Sequence, residues 1–293
     1  MRPNLILSWL YLMAAIVAGT SAVHAEHFRL GMATKDDTYI VDILKLALEE
    51  ADGDHTVEAV GQVILAQNRA LRALAEEQPG YNLHYSGYDA SREKELAMVR
   101  FPITLGMLGH RLLAVREANS KLFANTNSLE DLRKIAVLGS GIDWPDTTIL
   151  KAAGLNVATA TDPNLWQMLA RGRFNAFPRG ANEVIRQVEG ARAEWPEEGI
   201  MIDRHIMLVY KFDHFFYLAK SDKAKAAIIE QGLIRAFESG KLHTLLANVP
   251  QLREIRKELQ KYPRRIIYLD MPLLSESLKT LPDEYWAPFS DPH

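Results

Sequence analysis

The 293-residue chain contains no cysteine. Disulfides, thiolate nucleophiles and cysteine-ligated metals are therefore outside its chemistry. A chain without free thiols also suits an oxidising compartment. Excess charge of one sign is missing as well: 34 basic residues face 37 acidic ones, for a net charge of −3. No run of five like charges occurs, so the electrostatic footprint of a nucleic-acid binder is absent. After residue 25 no segment is apolar enough to span a membrane. Catalytic signatures are scarce too. There is no HExxH and no GxxxxGK[ST], and Gly139-Ser140-Gly141 lacks the outer spacing of a nucleophile elbow. The nine histidines are scattered, none four residues from another. His205 and His214 lie in apolar surroundings that suit hydrogen-bonded structural roles. No metal and no cofactor is expected.

The first 25 residues differ from the rest. Arg2 is the only charge before Glu26, and Leu5 to Gly19 form an apolar run ending in small residues and Val23-His24-Ala25. A basic start, a short apolar stretch and a small-residue exit predict a secretory signal peptide cut after Ala25. No cysteine follows the run, so a lipid anchor is not expected. The mature chain is expected in the periplasm, as a monomer.

Periodicity then predicts two α/β units in succession. Phe28 to Thr34 has strand composition, and Ile40, Ile43, Leu44, Ala47 and Leu48 fall at helical spacing behind Thr38, a possible cap. A strand at 55–60, a helix at 64–77 and a strand at 81–88 complete β-α-β-α-β, the pattern of a sheet with parallel strands and covering helices. Another strand at 112–115 precedes a polar stretch. A second series follows, with strands at 135–138, 157–161 and 174–177 and helices at 146–153 and 164–170. Asp146 is expected to cap the first of these helices. The apolar stretch 206–218 would carry the chain back to the first unit. An amphipathic region at 222–246 is interrupted by Gly240, predicting two helices, and a strand-like segment at 265–269 precedes a Pro-rich tail.

Three stretches resemble the type II periplasmic solute-binding proteins, relatives of the amino-acid-binding proteins of ABC transporters: Ser91-Arg92-Glu93-Lys94-Glu95 through Leu113, Ser128 to Gly180, and Lys220 to Leu246. The resemblance covers essentially the mature chain. It implies a two-lobed α/β fold with lobe 1 at 26–115 plus 213–293, lobe 2 at 116–212, and a ligand cleft between them. Val115-Arg116 and Tyr210-Lys211 are the expected crossings. It implies capture of a small, anionic or amino-acid-like solute for an ABC permease or membrane sensor. A lyase or dehydratase on the same scaffold is the alternative. The chain departs from the family where amino-acid binders carry an aspartate for the ligand's amino group: here it reads Ala176-Phe177-Pro178-Arg179-Gly180-Ala181-Asn182-Glu183.

Four places are candidates for the cleft, where strand ends and helix starts converge. In the loop Leu138 to Asp146, Ser140, Asp143 and Trp144 are candidate contacts, with the glycines allowing close backbone approach and the helix start favouring an anion. Arg179 follows a predicted strand end and could grip two anionic oxygens, or pair with Glu183 one turn on. Tyr85 and Ser86 end the third strand, pointing to opposite faces. Arg100 and Arg111 flank a Gly-containing segment, and the resemblance implies that an arginine near there reaches the ligand.

Overall fold

The computed structural model describes residues 24–35, 37–272 and 274–289, so the expected leader, apart from its last two residues, lies outside the described residues. The chain opens with β1 (His27–Met32), α1 (Thr38–Glu50), β2 (Thr56–Gln62), α2 (Gln67–Ala75), β3 (Leu83–Gly87), α3 (Ala90–Glu95) and β4 (Ala97–Met98). There follow β5 (His110–Val115), α4 (Leu129–Ile135), β6 (Val137–Gly141), α5 (Pro145–Ala152), β7 (Asn156–Ala160), α6 (Asp162–Ala170), β8 (Phe177–Gly180), α7 (Val184–Glu194) and β9 (Met201–Val209). The chain ends with β10 (His214–Leu218), α8 (Lys223–Glu238), α9 (Lys241–Asn248), α10 (Pro250–Lys261), β11 (Arg265–Tyr268) and α11 (Glu276–Lys279).

The first sheet has the order β2-β1-β3-β10-β4. Strands β1, β2 and β3 run parallel, and β10 inserts antiparallel between β3 and β4 with Phe216 opposite Tyr85. Helix α1 buries Tyr39, Ile40, Ile43, Leu44, Ala47 and Leu48, the stripe the helical spacing predicts. The second sheet has the order β11-β9-β5-β8. The parallel pair β6-β7 joins it through a bridge from Leu138 to Ala176, just ahead of β8. Apolar residues of both sheets share one continuous core, from Phe28 and Ile43 to Phe123 and Leu138.

Two segments pass between the sheets: 99–109, between β4 and β5, and 210–213, between β9 and β10. They touch closely, since a Cβ on Gly109 would stand 2.1 Å from the Tyr210 carbonyl oxygen. The Asp213 carboxylate ties them, accepting from Thr104 N at 2.7 Å, Thr104 Oγ1 at 2.6 Å and Gly106 N at 3.0 Å.

Several expectations are corrected here. The first crossing precedes β5 rather than following Val115, because β5 pairs with β8 and β9. Strand β11, expected in the first lobe, pairs parallel with β9 in the second sheet. Such pairings join residues 59 or more apart, which local periodicity does not encode. Thr38 is the first helical residue of α1, and the cap position is Asp37. In α5 the cap position is Trp144, leaving Asp146 inside the first turn with its carboxylate turned elsewhere.

Candidate functional site

The carboxyl ends of β3, β6 and β8 and the segments after them gather the charged residues of the molecule's centre. On the second sheet Arg111, in β5, is 3% exposed. Its guanidinium forms an ion pair with Asp146 and lies 3.5 Å from Glu183. Its Nε donates to the Tyr210 hydroxyl at 2.9 Å, and that hydroxyl donates to Asp146 in turn. Burial alone would lower the Arg111 pKa, but Asp146, Tyr210 and Glu183 raise it above the ordinary value. Arg179, at the end of β8, pairs with Glu183 at 3.0 Å and donates from Nε to Gln187 at 2.6 Å. Its guanidinium carbon lies 4.6 Å from the Trp144 ring centre and 4.9 Å from that of Phe177. Burial would raise the Glu183 carboxyl, yet Arg179 and Arg111 hold it below its ordinary value. Both arginines thus have buried acidic partners of their own.

Arg92 is different. It sits in α3, 6% exposed, facing the end of β3 and the start of α2. It donates to Ser86 Oγ at 3.0 Å, the Gly87 carbonyl at 2.6 Å, Gln67 Oε1 at 2.7 Å and Asn68 Oδ1 at 3.2 Å. All four acceptors are neutral, and no ion pair at Arg92 occurs among the described residues. Burial lowers its pKa, while Tyr217, Asp89, Asp146 and Asp143 oppose this. A buried cation whose hydrogen-bond acceptors are all neutral is the arrangement that an incoming anion completes.

Across the cleft, Asn182 donates to the Tyr39 hydroxyl at 3.1 Å, tying the segment after β8 to α1. Asn182 Oδ1 and His214 Nδ1 are buried without a hydrogen-bond partner. Burial pulls the His214 imidazole from 6.5 down to about 4, so the ring is neutral at pH 7.

The candidates from the sequence divide accordingly. Ser86 reaches the Arg92 guanidinium, and Asp143 is exposed in the turn after β6. Tyr85 points the other way, as the alternation of a strand requires: its hydroxyl accepts from Ala33 N at 3.1 Å and donates to Asp37 at 3.0 Å. Ser140 is buried and accepts from Thr147 at 2.7 Å. Trp144, Arg179 and Glu183 form one cluster with Arg111. Arg100 lies apart, with Nη2 on the Ser277 carbonyl at 2.7 Å, lining a recess of about 830 Å³ against α8. The glycines at 139 and 141 make room for side chains rather than a ligand: a Cβ there would stand 2.3 Å from Phe174 and 2.4 Å from Trp144. Sequence reasoning missed Arg92, Asn182 and the part played by Asp146. In Ser91-Arg92-Glu93-Lys94-Glu95 the arginine looks like one more charge on a solvated helix face, and only its burial sets it apart.

No protein-family model matches the chain, and no curated protein matches it by sequence. Solved structures do match. An ancestral arginine-binding protein bound to arginine is 15% identical with a TM-score of 0.52, covering 81% of this chain and 98% of its own. A periplasmic His/Glu/Gln/Arg/opine family-binding protein from Silicibacter pomeroyi in complex with lysine is 11% identical with a TM-score of 0.53, covering 75% and 95%. A histidine kinase sensor domain with similarity to periplasmic binding proteins is 14% identical with a TM-score of 0.52, covering 75% and 94%. This chain therefore has the two-lobed α/β fold of the periplasmic binding proteins.

Proposed function

We propose that the chain is an exported solute-binding protein that captures a small molecule bearing an anionic group, most simply a carboxylate, between its two sheets. Arg92 carries this reading: a buried guanidinium without a carboxylate partner, at the strand ends where such folds take ligands. Arg111 and Arg179 build the floor that faces it. Ser86 orients Arg92. The amino-acid ligands of the fold's neighbours and the sensor domain among them support delivery to an ABC permease or a membrane sensor. Delivery of this kind takes place in the periplasm, and the amino-terminal 25 residues suit export there.

Mass spectrometry of the small molecule that copurifies with the periplasmic protein identifies the ligand, and calorimetric titration with it tests the role of Arg92. Removing one partner of a desolvated charge pair costs about 2–5 kcal/mol, so Arg92→Gln weakens binding by roughly thirtyfold or more. Arg92→Lys, which keeps the charge and loses the fork, recovers only part. Unchanged affinity in a folded Arg92→Gln protein would sink the proposal. Turnover of the copurified molecule would make the protein a lyase instead.

A further inference from the structure

We propose that the ligand body is apolar: the site takes a small carboxylate with a branched aliphatic or aromatic side chain, selected by Ile64, Leu65 and Ile142. This rests on the reading of Arg92 as the anion-holding residue.

Among the described residues, six large apolar side chains are substantially exposed. Ile266 and Tyr268 belong to the edge strand β11, and Val137 starts β6. The other three, Ile64 at 90%, Leu65 at 41% and Ile142 at 59% exposure, sit on the turns that follow β2 and β6. Those turns leave the carboxyl ends of parallel strands, the edge at which each α/β unit receives ligands. The turns also push these side chains outward. Leu65 N donates to the Val63 carbonyl at 2.9 Å, which makes Ile64 the apex of a three-residue turn. Trp144 N donates to the Gly141 carbonyl at 3.2 Å, which places Ile142 and Asp143 at the two corners of a four-residue turn. Turn corners favour Gly, Asn, Asp or Ser, each for a backbone reason that a β-branched apolar residue does not share.

The turn after β2 borders Arg92, and the turn after β6 borders the Arg111–Arg179 cluster. Leu65 is two residues from Gln67, whose side chain holds the guanidinium at 2.7 Å. Ile142 leads into Trp144 and Asp146, which meet Arg179 and Arg111. Exposed apolar side chains therefore stand on turns of both α/β units, at the strand ends where such folds take ligands.

Charge accounting points the same way. Asp146 and Glu183 are held by Arg111, Arg179 and Tyr210, and Asp37 accepts from Tyr85. Asp143, exposed in the turn after β6, forms no ion pair among the described residues and can receive one ammonium, as in an α-amino acid.

Calorimetric titration of the mature protein with L-leucine, L-phenylalanine, 4-methyl-2-oxopentanoate, L-arginine and L-lysine tests this. At least one of the first three is expected to bind at least about tenfold more tightly than the last two. Ile64→Ser and Ile142→Ser are each expected to weaken that ligand by about tenfold, with melting temperatures unchanged because both side chains are exposed. Preference for arginine or lysine overturns the inference and leaves Arg92 as the anion holder intact. Undiminished affinity in both serine variants also overturns it, assigning the apolar turns to a docking partner. No binding of any probe, with no copurified molecule, overturns this inference and the solute-binding function together.

Discussion

Arg92 and Arg179 are buried to the same degree, 6% and 5% exposed, yet their partners give them opposite expectations. Arg179 is held by Glu183, Gln187 and two aromatic faces, so Arg179→Ala should act on stability. A broken buried pair costs about 3–5 kcal/mol, softened here because Glu183 keeps Arg111 within reach. Thermal melting should therefore fall by several degrees in Arg179→Ala, with ligand affinity changing less than tenfold; unchanged melting alongside lost binding would reverse the roles.

The buried histidines set the acid response. Burial pulls His84 and His214 from 6.5 to about 4. The unfolded chain therefore takes up these protons first, and the stability they contribute above pH 6.5 is lost as pH falls toward 4, about 3 kcal/mol for each. Asp213 opposes this, because burial lifts it from 3.8 to about 6. Its folded form takes up the proton first, so its contribution is present below about pH 4 and lost as pH rises through 6, again about 3 kcal/mol. Two histidines outweigh one aspartate between pH 6.5 and 4. Urea midpoints should fall across that window, and His214→Gln should flatten the fall. A midpoint that holds or rises on acidification would contradict the assignment.

Among the elements, α1 and α8 pack with their backbones in contact. A Cβ on Gly232 would stand 1.8 Å from the Ala47 carbonyl oxygen, a clash with backbone that no rotamer change relieves. Gly232→Ala is expected to destabilise by about 1–3 kcal/mol or more, although alanine is the better helix former by about 1 kcal/mol. A urea melt that shows a gain would mean that the helices part easily. The break between α8 and α9 was legible beforehand, since Gly240 adopts φ 73° and glycine is the residue that tolerates it. The close approach at Gly232 was not, because it depends on a helix that lies almost 200 residues away in sequence.

At the scale of the molecule, two touching segments, 99–109 and 210–213, form the connection between the sheets, and Asp213 fastens one to the other. A hinge of this kind permits closure about the cleft. The Asn182–Tyr39 hydrogen bond describes a closed arrangement. Solution scattering should show a smaller radius of gyration with ligand than without. Asn182→Ala, which removes the tie, should enlarge the ligand-free radius or leave it unchanged, and a decrease would contradict the hinge.

Alternating apolar periodicities, glycine stops and turn residues determined the elements and the α/β class, because these depend on neighbours within one helical turn or one strand. They also placed Ser86 near the end of β3 and Asp143 in the turn after β6. Tertiary structure alone decided which strands share a sheet, and hence that β11 joins β9 and that the crossing precedes β5. It also decided which arginine lacks an acidic partner. An arginine's sequence neighbours report its helix, whereas the carboxylates that neutralise Arg111 and Arg179, and the neutral groups around Arg92, come together only when distant segments pack and exclude water. Desolvation turns a charge from a surface detail into an energetic demand, and it is a property of the folded chain.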